Sequence, residues 1–80
     1  MIDEKIARPV VREVVAEMLG HSANDFEAIV SSGLIDSLSV VRLITRLEEK
    51  LKIKLPAGHL QPEDFDTVDL IMETLEREAR

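Results

Sequence analysis

The sequence predicts an all-α fold, a small four-helix bundle of three longer helices and one short one. Three observations carry this. Three segments repeat apolar residues at spacings of three and four. Glycine and proline punctuate the chain between those segments. The one stretch that alternates like a strand, Leu51-Lys52-Ile53-Lys54-Leu55, finds no partner strand, so it reads as a fraying helix end leading into an extended link.

The first helix is expected from about Asp3 to Leu19, with Ala7, Val11, Val14, Val15 and Met18 as its buried stripe. Pro9 complicates its start, because proline suits a first helical position and is costly in the interior. Either the regular helix begins near Pro9, or an earlier turn from Asp3 meets a kink there. Gly20 closes it. Residues His21 to Ile35 keep no period and read as a long loop, with Phe26, Ile29, Val30 and Leu34 as pins onto the core. Loops of that length are uncommon in compact domains and are often functional.

The second helix is expected from Ser37 to about Lys52. Asp36 is its N-cap, since the carboxylate accepts first-turn N–H groups. Val40, Leu43, Ile44, Leu47 and Leu51 share one stripe. Pro56, Gly58 and Pro62 then break the chain. Pro62-Glu63-Asp64-Phe65 fits one short helical turn, and Asp66 or Thr67 caps a last helix to about Ala79. Val68, Ile71, Met72, Leu75 and Ala79 form that helix's stripe.

Length and composition narrow the function. Eighty residues make one domain, spanning 1–80, whose core must come from well-packed helices. With 45% hydrophobic and 32% charged residues, this is a folded composition. Without cysteine there is no disulfide, thiolate zinc site or catalytic thiol. A net charge of −6 and only two aromatics, Phe26 and Phe65, argue against nucleic acid, which needs cations and stacking surfaces. No apolar run approaches the ~20 residues that span a bilayer. The acidic start, Met1-Ile2-Asp3-Glu4-Lys5, lacks the apolar core of a signal peptide, so a cytoplasmic domain without membrane insertion is expected.

Candidate chemistry is sparse. His21 and His59 sit in separate loops with no third ligand at metal spacing. Glu63, Asp64, Asp66 and Asp69 lack the alternating pattern of a calcium loop, and helix N-terminal charge explains them better. Ser37 lies in Ile35-Asp36-Ser37-Leu38-Ser39, which is no nucleophile elbow, and no parallel sheet exists to hold one. No catalytic residue set emerges, so the chain is not expected to be an enzyme.

The helix that Ser37 opens is the unusual feature. Leu38 and Val41 fall off its apolar stripe, on the side of Thr45. One reading packs Val41 under the preceding loop or the short helix. The other leaves Leu38 and Val41 as an apolar patch beside an accessible serine. A helix N-terminus favours a phosphate on that hydroxyl, which suits a modification site better than an active site.

Gly33-Leu34-Ile35-Asp36-Ser37-Leu38 resembles the D-S-L modification motif of acyl and peptidyl carrier proteins. Three residues alone are a weak signal. The likeness nevertheless extends over nearly the whole chain: a first helix, a long loop, D-S-L opening a central helix, Ile53-Lys54-Leu55-Pro56 and a final helix, in order. The resemblance implies the acyl-carrier fold, with 4′-phosphopantetheine joined to Ser37 through a phosphodiester by a phosphopantetheinyl transferase. It implies an acyl or aminoacyl thioester on the arm, loaded by an adenylating ligase or acyltransferase and passed to acceptor enzymes by a monomeric carrier. Leu38, Val41, Arg42 and Thr45 would then meet partners. The competing expectation is an unmodified helical interaction module that uses the Leu38/Val41 patch.

Charge refines the likeness. Residues 1–35 carry −3, residues 36–54 carry +2 and residues 63–80 carry −5. Carriers of fatty-acid synthesis present an acidic central helix; here Ser39, Arg42 and Arg46 stand where acids are expected. Gly33-Leu34-Ile35-Asp36-Ser37 with Glu63-Asp64-Phe65-Asp66-Thr67 is more similar to D-alanyl carrier proteins and other stand-alone aminoacyl carriers. That likeness implies an adenylating ligase and a small acid or amino acid as cargo. A purely local alternative is that Arg42 and Arg46 merely pair with neighbours such as Glu49 on a solvated face.

Overall fold

A computed structural model describes residues 2–56, 58 and 60–79. Three helices are built as the apolar periodicity requires: α1 (Glu4–Leu19), α2 (Ser37–Leu51) and α3 (Val68–Glu78). No strand occurs among the described residues. The fourth element has the expected bounds but is a 3₁₀ turn rather than a fourth α-helix of a bundle. Pro62–Phe65 is a single 3₁₀ turn, closed by Asp64 N–H to the Gln61 carbonyl at 3.0 Å and Asp66 N–H to the Glu63 carbonyl at 3.3 Å. Four residues hold only one such turn before Thr67 goes extended to start α3.

α1 starts where Asp3 caps it, its carboxylate accepting the Lys5 N–H at 3.0 Å. The helix runs through Pro9, so neither a late start nor a break at that residue is needed. Proline removes the bond to the Lys5 carbonyl, and both residues lie on the exposed side, within reach of water. The opposite side packs Ala7, Val11, Val14 and Val15 into the core, while Met18 is only half-buried. Gly20, at φ +81°, then turns the chain out and returns its N–H to the Ala16 carbonyl.

α1 packs against both α2 and α3, and the 3₁₀ turn packs against α2 and α3. The core is one cluster. Val40, Leu43, Ile44 and Leu47 come from α2, and Val68, Ile71, Met72 and Leu75 from α3. Phe65 of the turn is fully buried in the same cluster. Leu51 and Ala79, expected in the stripes, are half-buried at its edge. Leu55 is buried too, its N–H held by the Glu48 carboxylate at 2.9 Å, which sets the extended link after α2.

The long loop is pinned differently from the expectation. Ile29 and Ile35 are buried, and Val30 is half-buried. Phe26 is 79% exposed and Leu34 49% exposed, so neither is a pin. Phe26 is turned outward where its N–H bonds the Asn24 side chain at 2.9 Å. Ile35 is drawn in instead, its N–H on the Ile29 carbonyl at 2.7 Å.

Candidate functional site

Ser37 is the first residue of α2, and its position follows from what holds the loop before it. Asp66 does most of that holding. Its carboxylate accepts the N–H groups of Val30 at 2.8 Å and Ser31 at 2.9 Å, and its carbonyl accepts Ile29 N–H at 2.7 Å. Burial alone pushes the Asp66 carboxyl up, but the N–H bonds from Ser31, Val30 and Ile29 outweigh it and leave it below its ordinary value. Gly33, at φ +85°, closes the following turn, a backbone conformation that a side chain would strain.

A second anchor lies upstream. The Asp25 carboxylate takes a two-pronged bond from Arg12 and a further one from Arg8, which also reaches Glu4 and Asp69. Arg12, then Arg8, hold the Asp25 carboxyl at about 2, against the burial that raises it. Asp69 N–H completes the tie by bonding the Asp25 carbonyl at 3.1 Å. The loop is thus fastened to α1 and to the start of α3 before it reaches Ser37.

Asp36 caps α2 as its sequence position requires, accepting Ser39 N–H at 2.8 Å. That bond and the Ser39 hydroxyl hold the Asp36 carboxyl below its usual range, and the positive charge of Arg42 adds to the effect. Ser37 itself is exposed, and among the described residues nothing hydrogen-bonds its hydroxyl. Beside it runs a groove of about 220 Å³ between α2 and the segment from Leu60 to Phe65. Val40, Val41 and Ile44 form one wall, Pro62 and Phe65 the other, with Thr45 and Glu48 further along.

Leu38 and Val41 are exposed, at 77% and 59%. Packing of Val41 beneath the loop or the turn is therefore not what the chain adopts. Thr45 and Arg42 are exposed on the same helix. Arg46 pairs with Glu17 of α1 at 3.5 Å and Lys50 with Glu13 at 3.3 Å, so these two cations of α2 reach α1 rather than Glu49. Arg42 makes no salt bridge among the described residues.

The other candidates are accounted for locally. Among the described residues no group of acids and histidines is arranged to hold a metal ion. Asp64 accepts Gln61 N–H, Asp66 holds the loop and Asp69 pairs with Arg8. His21 is exposed, its Nδ1 3.1 Å from the Ser22 carbonyl. His59 lies outside the described residues. Sequence reasoning missed the anchors Asp25 and Asp66, because their partners lie far away in the chain. Thr74, buried with its hydroxyl on the Asp64 carbonyl at 3.0 Å, escaped notice for the same reason.

Residues 9–75 match a known family, the phosphopantetheine attachment site. The chain belongs to that family. Its members carry 4′-phosphopantetheine covalently, and their role is to carry rather than to catalyse. The chain is similar to the D-alanyl carrier protein of Lactobacillus acidophilus, 32% identical over 73 residues, covering 85% of this chain and 92% of the relative. It is also similar to that of Listeria welshimeri, 31% identical over 72 residues, covering 81% and 92%. The D-alanyl carrier protein of Streptococcus sanguinis is 29% identical over 65 residues, covering 79% and 82%. Among the described residues no helix is long and apolar enough to cross a membrane.

Proposed function

We propose that residues 1–80 form one carrier domain that holds 4′-phosphopantetheine on Ser37 and works as a monomer in the cytoplasm. The observation that carries this reading is the Ser37 hydroxyl, exposed and without a hydrogen-bond partner among the described residues, at the N-terminus of a helix whose cap is supplied by another residue. Asp36 takes the capping role, so modification of Ser37 leaves the α2 cap intact. The helix dipole favours the negative phosphodiester at that end. The groove gives the arm the exposed Val41 side chain to lie against, between α2 and the segment from Leu60 to Phe65.

When attached, the arm supplies the thiol that a cysteine-free chain lacks, and the cargo is held on it as a thioester. The protein's own work is presentation: it keeps the attachment point rigid through Asp66 and Asp25 while the tethered cargo meets partner enzymes at high effective concentration. A phosphopantetheinyl transferase installs the arm, and an adenylating ligase or acyltransferase loads it. Leu38, Val41, Arg42 and Thr45 form the contact surface for those enzymes and for the acceptors downstream.

For cargo we infer a small amino acid, D-alanine being the first choice. The D-alanyl relatives and the departure of Arg42 and Arg46 from an acidic central helix support this. The test is to convert the protein with coenzyme A and a broad-specificity transferase, then offer D-alanine, L-alanine, glycine, acetate and malonyl donors with their activating enzymes. Intact mass should show one arm, then an aminoacyl increment from an ATP-dependent ligase. Efficient malonyl transfer and chain elongation, with no ligase able to charge the arm, would overturn the cargo assignment.

A further inference from the structure

The groove that starts at Ser37 ends on a charge. Glu48 is the one ionisable side chain among the described residues that line it; Thr45 and Gln61 are polar but neutral. Glu48 is half-buried, and its Oε2 accepts the Leu55 N–H at 2.9 Å. Among the described residues its Oε1 accepts no hydrogen bond and the carboxylate makes no ion pair. The Leu55 bond therefore holds the carboxylate in place while leaving one oxygen unspent. Thr45 does not compete for it, because its hydroxyl donates to the Val41 carbonyl at 3.1 Å.

The distance from Ser37 to Glu48 matches the reach of a loaded arm. Eleven residues of helix separate them, an axial rise of about 16 Å. A phosphopantetheine arm has about fourteen bonds from the serine oxygen to its sulfur, and extended like a peptide backbone it spans about 16 Å. The nitrogen of an α-amino acid thioester lies three bonds beyond that sulfur, which adds about 3.5 Å. Those few ångströms let the arm curve around α2, and the Glu48 side chain leans back toward Ser37 as helical side chains do. The neighbouring charges lie outside the groove. Glu49, Lys52 and Lys54 share an adjoining hollow with Glu48, and Arg42, Arg46, Glu49 and Lys50 line another.

We propose that Glu48 is a cargo subsite: it receives the ammonium of an aminoacyl group when the loaded arm lies back along the groove. The inference deepens the carrier reading and rests on Ser37 as the attachment point. An α-amino acid thioester presents a cation two bonds from its carbonyl carbon, and a plain acyl group of the same size does not. Glu48 thus shifts the balance between retracted and extended arm toward retraction for amino acids alone. Lys52 and Lys54 offset part of that attraction, and a half-exposed pair is weak in any case. Weakness suits the task, because an enzyme that takes the cargo has little to overcome.

The test attaches coenzyme A analogues whose cargo is joined by an amide in place of the thioester, so that no ligase is needed. One analogue carries D-alanine; the other carries propionate, the same carbon skeleton without the ammonium. In the ¹⁵N-labelled protein, shifts of the Glu48 and Leu55 amides and Overhauser contacts from the cargo methyl to Thr45 or Gln61 report the retracted arm. The D-alanyl form should shift those amides about twofold to fivefold more than the propionyl form, and added salt should shrink the difference. Glu48→Gln keeps an acceptor for the Leu55 N–H but removes the charge, and should bring the D-alanyl form to the propionyl level. Circular dichroism verifies that this variant stays helical. Equal shifts for the two cargoes, D-alanyl shifts that survive Glu48→Gln, or a D-alanyl arm that touches nothing in the groove would overturn the proposal. Intact mass reports attachment to Ser37 and the ligase assay reports the natural cargo, so failure of either is told apart from failure at Glu48.

Discussion

Asp66 and Val30 are 36 residues apart in sequence, yet the Asp66 carboxylate accepts the Val30 N–H at 2.8 Å. The same carboxylate takes Ser31 N–H, so one side chain fixes the loop that delivers Ser37. Asp66→Ala leaves two loop N–H groups without their acceptor and should cost about 1–3 kcal/mol. Asp66→Asn keeps one acceptor oxygen and should cost less than half as much. Urea unfolding gives the energies, and faster hydrogen exchange at Val30 and Ser31 gives the location. Unchanged exchange at both amides in the alanine variant would contradict the anchoring role.

Asp25 makes the fold acid-sensitive in a defined window. Its carboxyl sits at about 2 in the folded chain, against an ordinary 3.8, through Arg12 and then Arg8. A folded value below the unfolded one means the stabilisation is fully present above pH 3.8 and is lost as pH falls towards 2. Its size, for a largely buried carboxylate, is on the order of 1–2 kcal/mol. Arg12→Gln should reduce stability at neutral pH and flatten its fall between pH 4 and 2, as followed by urea unfolding at stepped pH. An acid dependence equally steep in that variant would show that Asp25 is not the group responsible.

Leu47 and Phe65 are both fully buried in the one core cluster. Leu47→Ala should cost about 2–5 kcal/mol and Phe65→Ala about 3–5 kcal/mol, large fractions of a small domain's stability. Thermal or urea unfolding measures both. A loss below about half a kcal/mol at Leu47 would mean that α2 faces another way.

The helices were legible in the sequence because each carries its own period. Val11, Val14, Val40, Leu43, Leu47, Val68, Ile71 and Leu75 are all buried where their spacing puts them. Ile44, in the same stripe as Val40, Leu43 and Leu47, keeps 9% exposure where it borders the groove. The loop was not legible. No period distinguishes Phe26 and Leu34, which face water, from Ile29 and Ile35, which do not. That choice is made by backbone bonds from Ile29 to Asp66 and from Ile35 to Ile29, invisible to any local pattern. The Asp36 cap was readable from helix geometry alone; the same geometry took Leu38 and Val41 off the apolar stripe but left open whether Val41 packed under the loop or the turn, which the exposure of both residues decides. The two-point anchoring behind Ser37 depends on tertiary contacts, and only the fold reveals it.

The attachment of the arm to Ser37 is tested most directly by intact mass after incubation with coenzyme A and a phosphopantetheinyl transferase, for the native chain, Ser37→Ala and Ser39→Ala. Alanine is a good helix former and Asp36 still caps, so the Ser37 variant should keep its helical signal. The native chain and Ser39→Ala should each gain one phosphopantetheine, and Ser37→Ala none. A full increment on folded Ser37→Ala would place the arm elsewhere and contradict the account.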